Sequence, residues 1–185
     1  MDVVDITLPA IEPVSLSRAK LFLRVEHDAE DELIMDMIRS ARMRVETYVG
    51  ASLIERQKRL TLDKLSGEIK INHHPVQSVQ AVRFVWLDGQ EQTLSPQQYS
   101  VNLRRNPARL SIEREVLRLF TRDVPCHLEI DIIAGYGASD TDVPTPLVQA
   151  ILILLAQAYE RDNLSSNELP MMVQALLMPY RGLRL

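Results

Sequence analysis

Residues that could carry out chemistry are few in this chain of 185 residues, and their spacing matches no catalytic motif. Two of the four histidines, His73 and His74, are adjacent, so in a strand their side chains would point to opposite faces. Together with His27 and His127 they have no recognised spacing of metal ligands. A loop position is therefore the default interpretation of these histidines, and we expect no metal site.

The single cysteine, Cys126, precedes His127, but neighbours in an extended chain point apart, so we do not expect a catalytic thiolate pair. The chain also has no Gly-x-x-x-x-Gly-Lys loop, no Gly-x-Gly-x-x-Gly, no His-Glu-x-x-His and no Gly-x-Ser-x-Gly elbow. We expect neither an enzyme nor a bound cofactor. A deep pocket that converges on His73, His74 or His127 would favour the enzyme alternative.

Four carboxylates, Asp28, Glu30, Asp31 and Glu32, lie within five residues at the start of a predicted helix. Acidic side chains stabilise the first turn of a helix because they complement the positive end of its dipole. We interpret this cluster as a helix start and not as a metal site.

Arginines are concentrated in a stretch of nineteen residues that contains only two acids, Glu113 and Glu115. A solvated surface is the plain interpretation. The functional ones are an ion-pair surface between subunits and a wall along which DNA slides, because arginine contacts phosphate without reading sequence. The members are Arg104, Arg105, Arg109, Arg114, Arg118 and Arg122.

A sequence-independent DNA-binding module that uses the Arg104–Arg122 region is therefore an alternative function. It would be favoured if these arginines converged on one exposed face and if duplex affinity depended steeply on salt. No aromatic residues are interleaved to support single-strand binding.

Composition excludes some classes of protein. Hydrophobic residues make up 46% of the chain and charged residues 25%, which are ordinary values for a globular protein. The net charge of −4 argues against a protein whose whole surface coats nucleic acid. No apolar leader opens the chain, and one cysteine cannot form an intramolecular disulfide. These features predict a protein that is intracellular or assembled inside a cell.

The first fifty residues are predicted to be helical. Ser15 can cap a short helix from Leu16 to Val25, and a longer helix begins at Asp28 and ends at Gly50, a natural C-cap. From Arg56 to Ile133 the apolar period changes to two, which predicts short strands. Within this region Asp88-Gly89 indicates a hairpin with a type I′ turn.

A junction between layers follows the last predicted strand. Thr145 is a good N-cap and Pro146 falls at the first helical position, so a helix is predicted from Leu147 to Tyr159. From Leu147 to Ala158 its only polar residues are glutamines, which predicts burial on nearly all sides. It is too short to cross a bilayer, which needs roughly 20 residues, so protein must bury it, within the subunit or between subunits.

The C-terminal region returns to helix after a loop at Asn163–Asn167. Its apolar side contains Met171, Met172, Ala175, Leu176 and Met178, and Pro179 ends it. The last six residues, Tyr180–Leu185, are either a frayed terminus or a docking peptide.

The order of these elements resembles the head-tail connector, or adaptor, proteins of long-tailed phages and gene transfer agents. The opening carries the resemblance in Val14–Val25, Asp28–Ile34 and Tyr48-Val49-Gly50. In the second half it rests on Ala134-Gly135-Tyr136-Gly137, Asp142-Val143-Pro144, Ala158-Tyr159-Glu160 and Ala175–Arg181. It covers nearly the whole chain.

The resemblance implies a fold of the α+β class, a helical bundle with an inserted small antiparallel β-sheet, as the subunit of a ring. We expect one domain over residues 1–185, with helices at about 15–50 and 145–179, the β insert at about 56–133 and a C-terminal tail at 180–185. Such a homo-oligomeric ring, usually a dodecamer, assembles in the bacterial cytoplasm and sits in the particle neck beneath the portal. It extends the DNA channel and joins capsid to tail.

The implied partners are the portal protein, a stopper or tail-completion protein, and DNA that passes without sequence recognition. No membrane, cofactor or catalytic residue is implied. For portal contact we expect the tail residues Tyr180, Arg181, Leu183, Arg184 and Leu185. For the subunit interface or the lumen we expect Arg104, Arg105, Arg109, Arg114 and Arg118.

Overall fold

A computed structural model describes residues 2–63, 66–120, 126–160 and 168–182. Within these ranges the chain forms two compact units. The sheet unit comprises residues 2–8 and 55–135, together with Gly182. The helical unit comprises residues 9–54 and 136–181. The expectation of one domain over residues 1–185 stays a prediction.

The sheet unit contains two antiparallel sheets. The five-stranded sheet has the order β1-β2-β8-β4-β5, and the three-stranded sheet has the order β3-β7-β6. One helix, α3, follows β7. The bounds are β1 Asp2–Asp5, β2 Arg56–Leu62, β3 Glu68–Ile71, β4 Val76–Trp86, β5 Glu91–Thr93, β6 Tyr99–Asn102, β7 Ala108–Ile112, α3 Arg114–Phe120 and β8 Cys126–Ala134.

Alternating side chains from both sheets meet in one apolar core. Phe84 of β4, Ile130 of β8 and Leu110 of β7 are fully buried in the same cluster. Because strand side chains alternate between faces, this core uses every second residue and leaves the intervening positions on the other face of each sheet. The candidate surfaces of the sheet unit lie on those second faces.

The helical unit contains four of the α-helices. Helix α4 is central, since α1, α2 and α5 all contact it. The bounds are α1 Leu16–Leu23, α2 Asp31–Val49, α4 Thr145–Tyr159 and α5 Met171–Leu177, with 3-10 turns at Asp140–Asp142 and Met178–Tyr180.

The predicted burial of α4 is confirmed. Between Leu147 and Ala158, Gln149 is the only exposed residue, and Ile151 and Leu155 are fully buried. The chain itself supplies this burial, as α4 packs in the core of the helical unit. The predicted N-cap is wrong: the helix begins at Thr145, one residue earlier, and Pro144 occupies the cap position.

Both predicted caps in the N-terminal region are confirmed. The Ser15 hydroxyl accepts a hydrogen bond from the Arg18 N–H at 3.3 Å, and α1 begins at the next residue, Leu16. Gly50 ends α2 with a φ of 71°, a left-handed conformation that glycine adopts without steric cost.

The predicted hairpin at Asp88-Gly89 is confirmed, because β4 and β5 pair on either side of it. The predicted type I′ turn is wrong, since Gly89 has a positive φ of 84° and Asp88 does not. The Gly89 N–H donates to the Trp86 carbonyl, and the Trp86 N–H donates to the Gln90 carbonyl. This is a three-residue loop that places glycine at its left-handed position.

The predicted helical bundle with a small inserted sheet is wrong. In the described part of the chain, eight strands form two sheets and five α-helices accompany them, so the structure is mixed rather than helical with an insert. The N-terminal segment Asp2–Asp5 was expected to be helical but forms the edge strand β1. Its β-branched residues Val3 and Val4 fit a strand better than a helix.

Candidate interaction surfaces

The second face of the three-stranded sheet forms a concave, cationic surface, which we call the arginine face. It encloses a volume of about 640 Å³ and is shaped by small polar side chains on the strands and by the turn between β6 and β7. Its lining residues are Glu68, Ser100, Val101, Asn102, Leu103, Arg104, Arg105, Arg109 and Ser111.

Hydrogen bonds hold this face in shape. Arg109 Nη1 donates to Glu68 Oε1 at 2.7 Å, across the β3–β7 pair. The Asn102 side-chain oxygen accepts from the Arg104 N–H at 3.1 Å and fixes the turn. The hydrogen bond from Arg109 lowers the pKa of Glu68, and the charges of Arg109, Arg105 and Lys70 lower it further. Glu68 is therefore a carboxylate surrounded by cations.

The structure brings together three of the five arginines predicted for the subunit interface or lumen. Arg104, Arg105 and Arg109 line the arginine face. Arg114 and Arg118 lie on α3, where both are exposed and neither lines this face. Arg122, the last arginine of the predicted region, lies outside the described residues.

A second arginine cluster lies on the second face of the five-stranded sheet, and sequence reasoning missed it. Arg59 of β2 donates two hydrogen bonds to the Asp131 carboxylate of β8, from Nε at 2.7 Å and from Nη2 at 3.1 Å. Arg83 Nη2 of β4 donates to the same carboxylate at 2.7 Å and to Glu129 at 3.3 Å. Asp131 is only 4% exposed. Two arginines therefore neutralise two carboxylates in an ion-pair network.

Burial by itself raises the pKa of Asp131, but the hydrogen bonds from Arg59 and Arg83 and their charges outweigh it, so the pKa is lowered. The signal for this network was present in the sequence. Glu129 and Asp131 alternate with buried Leu128, Ile130 and Ile132, so they had to share the opposite face of β8. Their partners could not be named without the strand order.

The edge strand β1 is attached by another cluster of charges. Asp5 Oδ1 accepts hydrogen bonds from Arg56 Nε at 2.8 Å and from Lys58 Nζ at 2.5 Å, and both cations are buried. Burial raises the pKa of Asp5, but the hydrogen bonds from Arg56 and Lys58 more than offset it, so the pKa is lowered.

Part of the predicted portal-contact segment is held against the helical unit. Met178–Tyr180 form a 3-10 turn after α5, and the Arg181 guanidinium lies 5.3 Å from the centroid of the Tyr48 ring in α2. Leu183, Arg184 and Leu185 lie outside the described residues.

Helix α5 and the 3-10 turn after it expose three methionines to solvent. Val173 and Leu177 are buried, whereas Met171 is 87% exposed, Met172 61% and Met178 73%. The predicted apolar side of this helix is thus a surface, and methionine surfaces adapt readily to a partner.

The predicted start of the longer helix at Asp28 is wrong: α2 begins at Asp31, so Asp31 and Glu32 lie in its first turn, whereas Asp28 and Glu30 precede it. Lys20 Nζ pairs with Asp28 at 2.5 Å and with Asp31 at 2.7 Å. Glu30 accepts a hydrogen bond from the Tyr159 hydroxyl of α4 at 2.5 Å. These carboxylates tie α1 and α4 to the start of α2.

His127 Nε2 lies 3.6 Å from Glu129 Oε1, next to the network on β8. Burial raises the pKa of the Cys126 thiol, which disfavours the thiolate. Across the described ranges, no group of three or more histidine, cysteine or acidic residues could hold a metal ion. No helix in those ranges has the length and apolarity needed to cross a membrane.

Comparisons with known proteins place these surfaces in context. Residues 13–116 match the sequence profile of the family described as Phage gp6-like head-tail connector protein. A comparison with curated proteins finds no match.

Among solved structures, chains from gene transfer agent (GTA) particles resemble this one over its whole length. They come from the neck of an empty GTA particle computed with C6 symmetry, with a TM-score of 0.81 and 25% identity, and from the virion of a native GTA particle, with 0.82 and 25%. A third comes from the neck of a native GTA particle computed with C12 symmetry, with 0.77 and 24%. Each match covers 100% of this chain and 97% of the other.

The family profile spans more than half of the 185 residues, and the solved likenesses extend over the β8–α4 junction and the C-terminal helix beyond it. This chain belongs to the Phage gp6-like head-tail connector protein family.

Proposed function

We propose that this chain is a structural connector in the neck of a phage-like particle. It forms a ring beneath the portal, extends the DNA channel and joins the capsid to the tail. The observation that carries the proposal is the likeness to gene transfer agent chains over 100% of this chain, at 25% identity and a TM-score of 0.81 for a neck structure.

The proposed ring is homo-oligomeric and has six-fold or twelve-fold symmetry. The necks that this chain resembles were computed with C6 and C12 symmetry, which supports this choice. Neighbouring subunits in such a ring contact each other head to tail. Each subunit therefore needs two different surfaces, one for each neighbour. The exposed arginines of α3, Arg114 and Arg118, and the exposed methionines of α5 supply material for such contacts.

The C-terminal segment is the proposed portal contact. Tyr180 and Arg181 lead from α5 towards Leu183, Arg184 and Leu185, so aromatic, cationic and aliphatic side chains alternate there. The contact between Arg181 and Tyr48 supports this proposal, because it gives the segment a fixed starting point on the helical unit. A stopper or tail-completion protein is the proposed neighbour on the other side of the ring.

The proposed role is mechanical and needs no bound cofactor and no catalytic residue. The family and the similar particles are described as connectors and necks, which supports a structural rather than an enzymatic role. DNA is proposed to pass through the ring without sequence recognition.

A clean deletion in the strain that produces the particle tests the proposal. Without the chain, DNA-filled heads should accumulate without tails, and expression of the intact chain from a plasmid should restore joined particles. Electron microscopy counts the two populations. Tailed particles that deliver DNA in the deletion strain would refute the connector role.

A further inference from the structure

We propose that the arginine face binds the phosphodiester backbone of duplex DNA without reading its sequence. This inference rests on the proposed connector function, since it names the surface that faces the DNA in the channel. It commits to three of the five arginines predicted for the interface or lumen, Arg104, Arg105 and Arg109, and leaves Arg114 and Arg118 out.

The side chains of the face are those that contact phosphate in other proteins. Guanidinium, hydroxyl and side-chain amide groups all donate hydrogen bonds to phosphate oxygens. Ser100 and Asn102 share one face of β6, and Arg109 and Ser111 share the same face of β7, because strand side chains repeat with period two. The face thus arranges several phosphate donors in two adjacent rows.

Charge on this surface is strongly positive although the chain as a whole carries −4. Lys70, Arg104, Arg105 and Arg109 surround a single carboxylate, Glu68, which leaves an excess of three positive charges. Arg109 pairs with Glu68, but Arg104 and Arg105 have no acidic partner within ion-pair distance among the described residues. Both are exposed at the turn and can reach an anion.

The arginine cluster on the five-stranded sheet differs from the arginine face in that acidic side chains compensate its charge. Arg59 and Arg83 are equally cationic, but Glu129 and Asp131 neutralise them at 2.7–3.3 Å. That cluster holds strands together and has no charge left for a polyanion. Of these two clusters, the arginine face is the one that combines an open, concave shape with uncompensated cations, so it is the better site for phosphate.

The shape favours the backbone of a duplex over other nucleic-acid contacts. Ser100 and Ser111 contribute small side chains to the face, and Arg104 and Arg105 line it from the turn between β6 and β7. No aromatic side chain lines the face, so bases have nothing to stack on. Base edges in the major groove are read by an inserted helix or ribbon, whereas this surface is a broad sheet face. With base stacking and base-edge reading disfavoured, the face is suited to contact with the sugar-phosphate backbone of the duplex.

Salt dependence gives the inference a quantitative test. Each phosphate neutralised contributes about −0.9 to the slope of log K against log salt, so three contacts predict a slope of about −2.7 for the purified chain. The probe is a fluorescent 30-base-pair duplex of random sequence, measured by anisotropy at several salt concentrations. An Arg104→Ala/Arg105→Ala variant should reduce the slope by about 1.8 and weaken binding about tenfold or more at low salt.

The matched control is Arg18→Ala/Arg24→Ala. It removes the same charge from two exposed arginines of α1 and its C-cap, outside the face, so it should leave the slope within error of the wild type. Equal losses in the two variants would overturn the site, because net charge alone would then explain binding. Melting curves of both variants check that the fold is retained.

An acidic protein segment is the competing occupant of a cationic face. Poly-glutamate of matched charge serves as the second probe. If poly-glutamate binds through Arg104 and Arg105 while the duplex does not, the DNA assignment is overturned and an acidic protein partner replaces it.

An assay of particle assembly distinguishes failure of the DNA-facing site from failure of the connector role. The Arg104→Ala/Arg105→Ala chain is expressed in the deletion strain and joined particles are counted. Normal joining by the deletion strain itself would refute the connector role. If the wild-type chain restores joining but shows no duplex binding that depends on Arg104 and Arg105, only the DNA-facing site is refuted.

Discussion

Arg181 lies over the aromatic ring of Tyr48, with its guanidinium carbon 5.3 Å from the ring centroid. The two residues are far apart in sequence, and their contact ties the segment after α5 to the end of α2 within the helical unit. A cation at this distance is attracted by the negative face of the ring. The described start of the proposed portal-contact segment is therefore held by a defined contact.

Replacement of Arg181 by alanine should lower the free energy of unfolding by about 0.5–1 kcal/mol, the usual contribution of an exposed cation–π contact. Urea denaturation of the two purified proteins measures the difference. Arg181→Lys keeps the cation and should lose less. A variant as stable as the wild type would mean that the contact does not hold the segment.

Asp131 should be the most sensitive charge in the sheet unit. Asp131→Ala leaves Arg59 and Arg83 without their shared carboxylate, and loss of one partner from a buried ion pair costs 3–5 kcal/mol. We expect about 3 kcal/mol, the lower end, because the Arg59 side chain is 38% exposed and water can solvate it. Urea unfolding measures this loss, and Glu91→Ala is the control, since its contact with Arg83 is longer, at 3.7 Å.

The same carboxylate should make stability depend on pH in the acid range. The pKa of Asp131 is lowered in the folded chain from an unfolded value near 3.8, so the ionised form stabilises the fold above that pH. This stability is lost as the pH falls through the folded pKa. Between about pH 5 and pH 2 the wild type should lose more unfolding free energy than Asp131→Asn. Parallel curves for the two proteins would contradict the assignment.

Elements of the fold that depend on residues close together in the chain could be predicted from the sequence, whereas long-range pairing could not. The Ser15 cap, the Gly50 cap, the β4–β5 hairpin and the buried helix α4 all follow from residues close together in the chain, and all four were predicted. The order of the strands in the sheet was not predicted, because the pairing of β8 with both β2 and β4 joins residues that are 40 to 78 positions apart. Without that order the strands were interpreted as a small insert.

For the candidate surfaces too, the local signal could be predicted from the sequence, and the grouping that depends on strand pairing could not. The high density of arginine after residue 103 includes Arg104, Arg105 and Arg109, which share one face, but density could not separate them from Arg114 and Arg118 on α3. Only strand alternation and the turn decide which side chains share a face. The Asp131 network was missed because Arg59, Arg83 and Asp131 come from three different strands.

Substitution of Ile151 tests whether the fold of the subunit depends on the burial of α4. It is fully buried in the core of the helical unit, so Ile151→Asp would bury an unpaired charge and should cost several kcal/mol or prevent folding. Gln149→Asp is the control, because Gln149 is the exposed position on the same helix. Circular dichroism melts compare the three proteins, and a soluble Ile151→Asp chain with an unchanged melting temperature would contradict this burial.

Gly137 has a steric reason to be glycine. A Cβ at this position would lie 2.6 Å from Cγ and 2.8 Å from Cβ of Asp142, closer than such atoms approach in proteins. Asp142 cannot move aside freely, because Oδ2 accepts a hydrogen bond from the Ser139 N–H at 3.0 Å and closes the capping box of the 3-10 turn before α4. The backbone of Gly137 also forms a parallel bridge with Ile54.

Gly137→Ala should therefore destabilise the chain by about 1–3 kcal/mol, the usual cost of overpacking, because the added methyl forces the capping box open. Gly67→Ala is the matched control: the nearest atom to its added Cβ is Leu117 Cδ1 at 3.8 Å, an ordinary contact. Urea unfolding of both variants gives the comparison. A second variant, Gly137→Ala/Asp142→Ala, removes the clashing carboxylate and should recover part of the loss. If Gly137→Ala were no less stable than Gly67→Ala, the close approach to Asp142 would not be what requires glycine here.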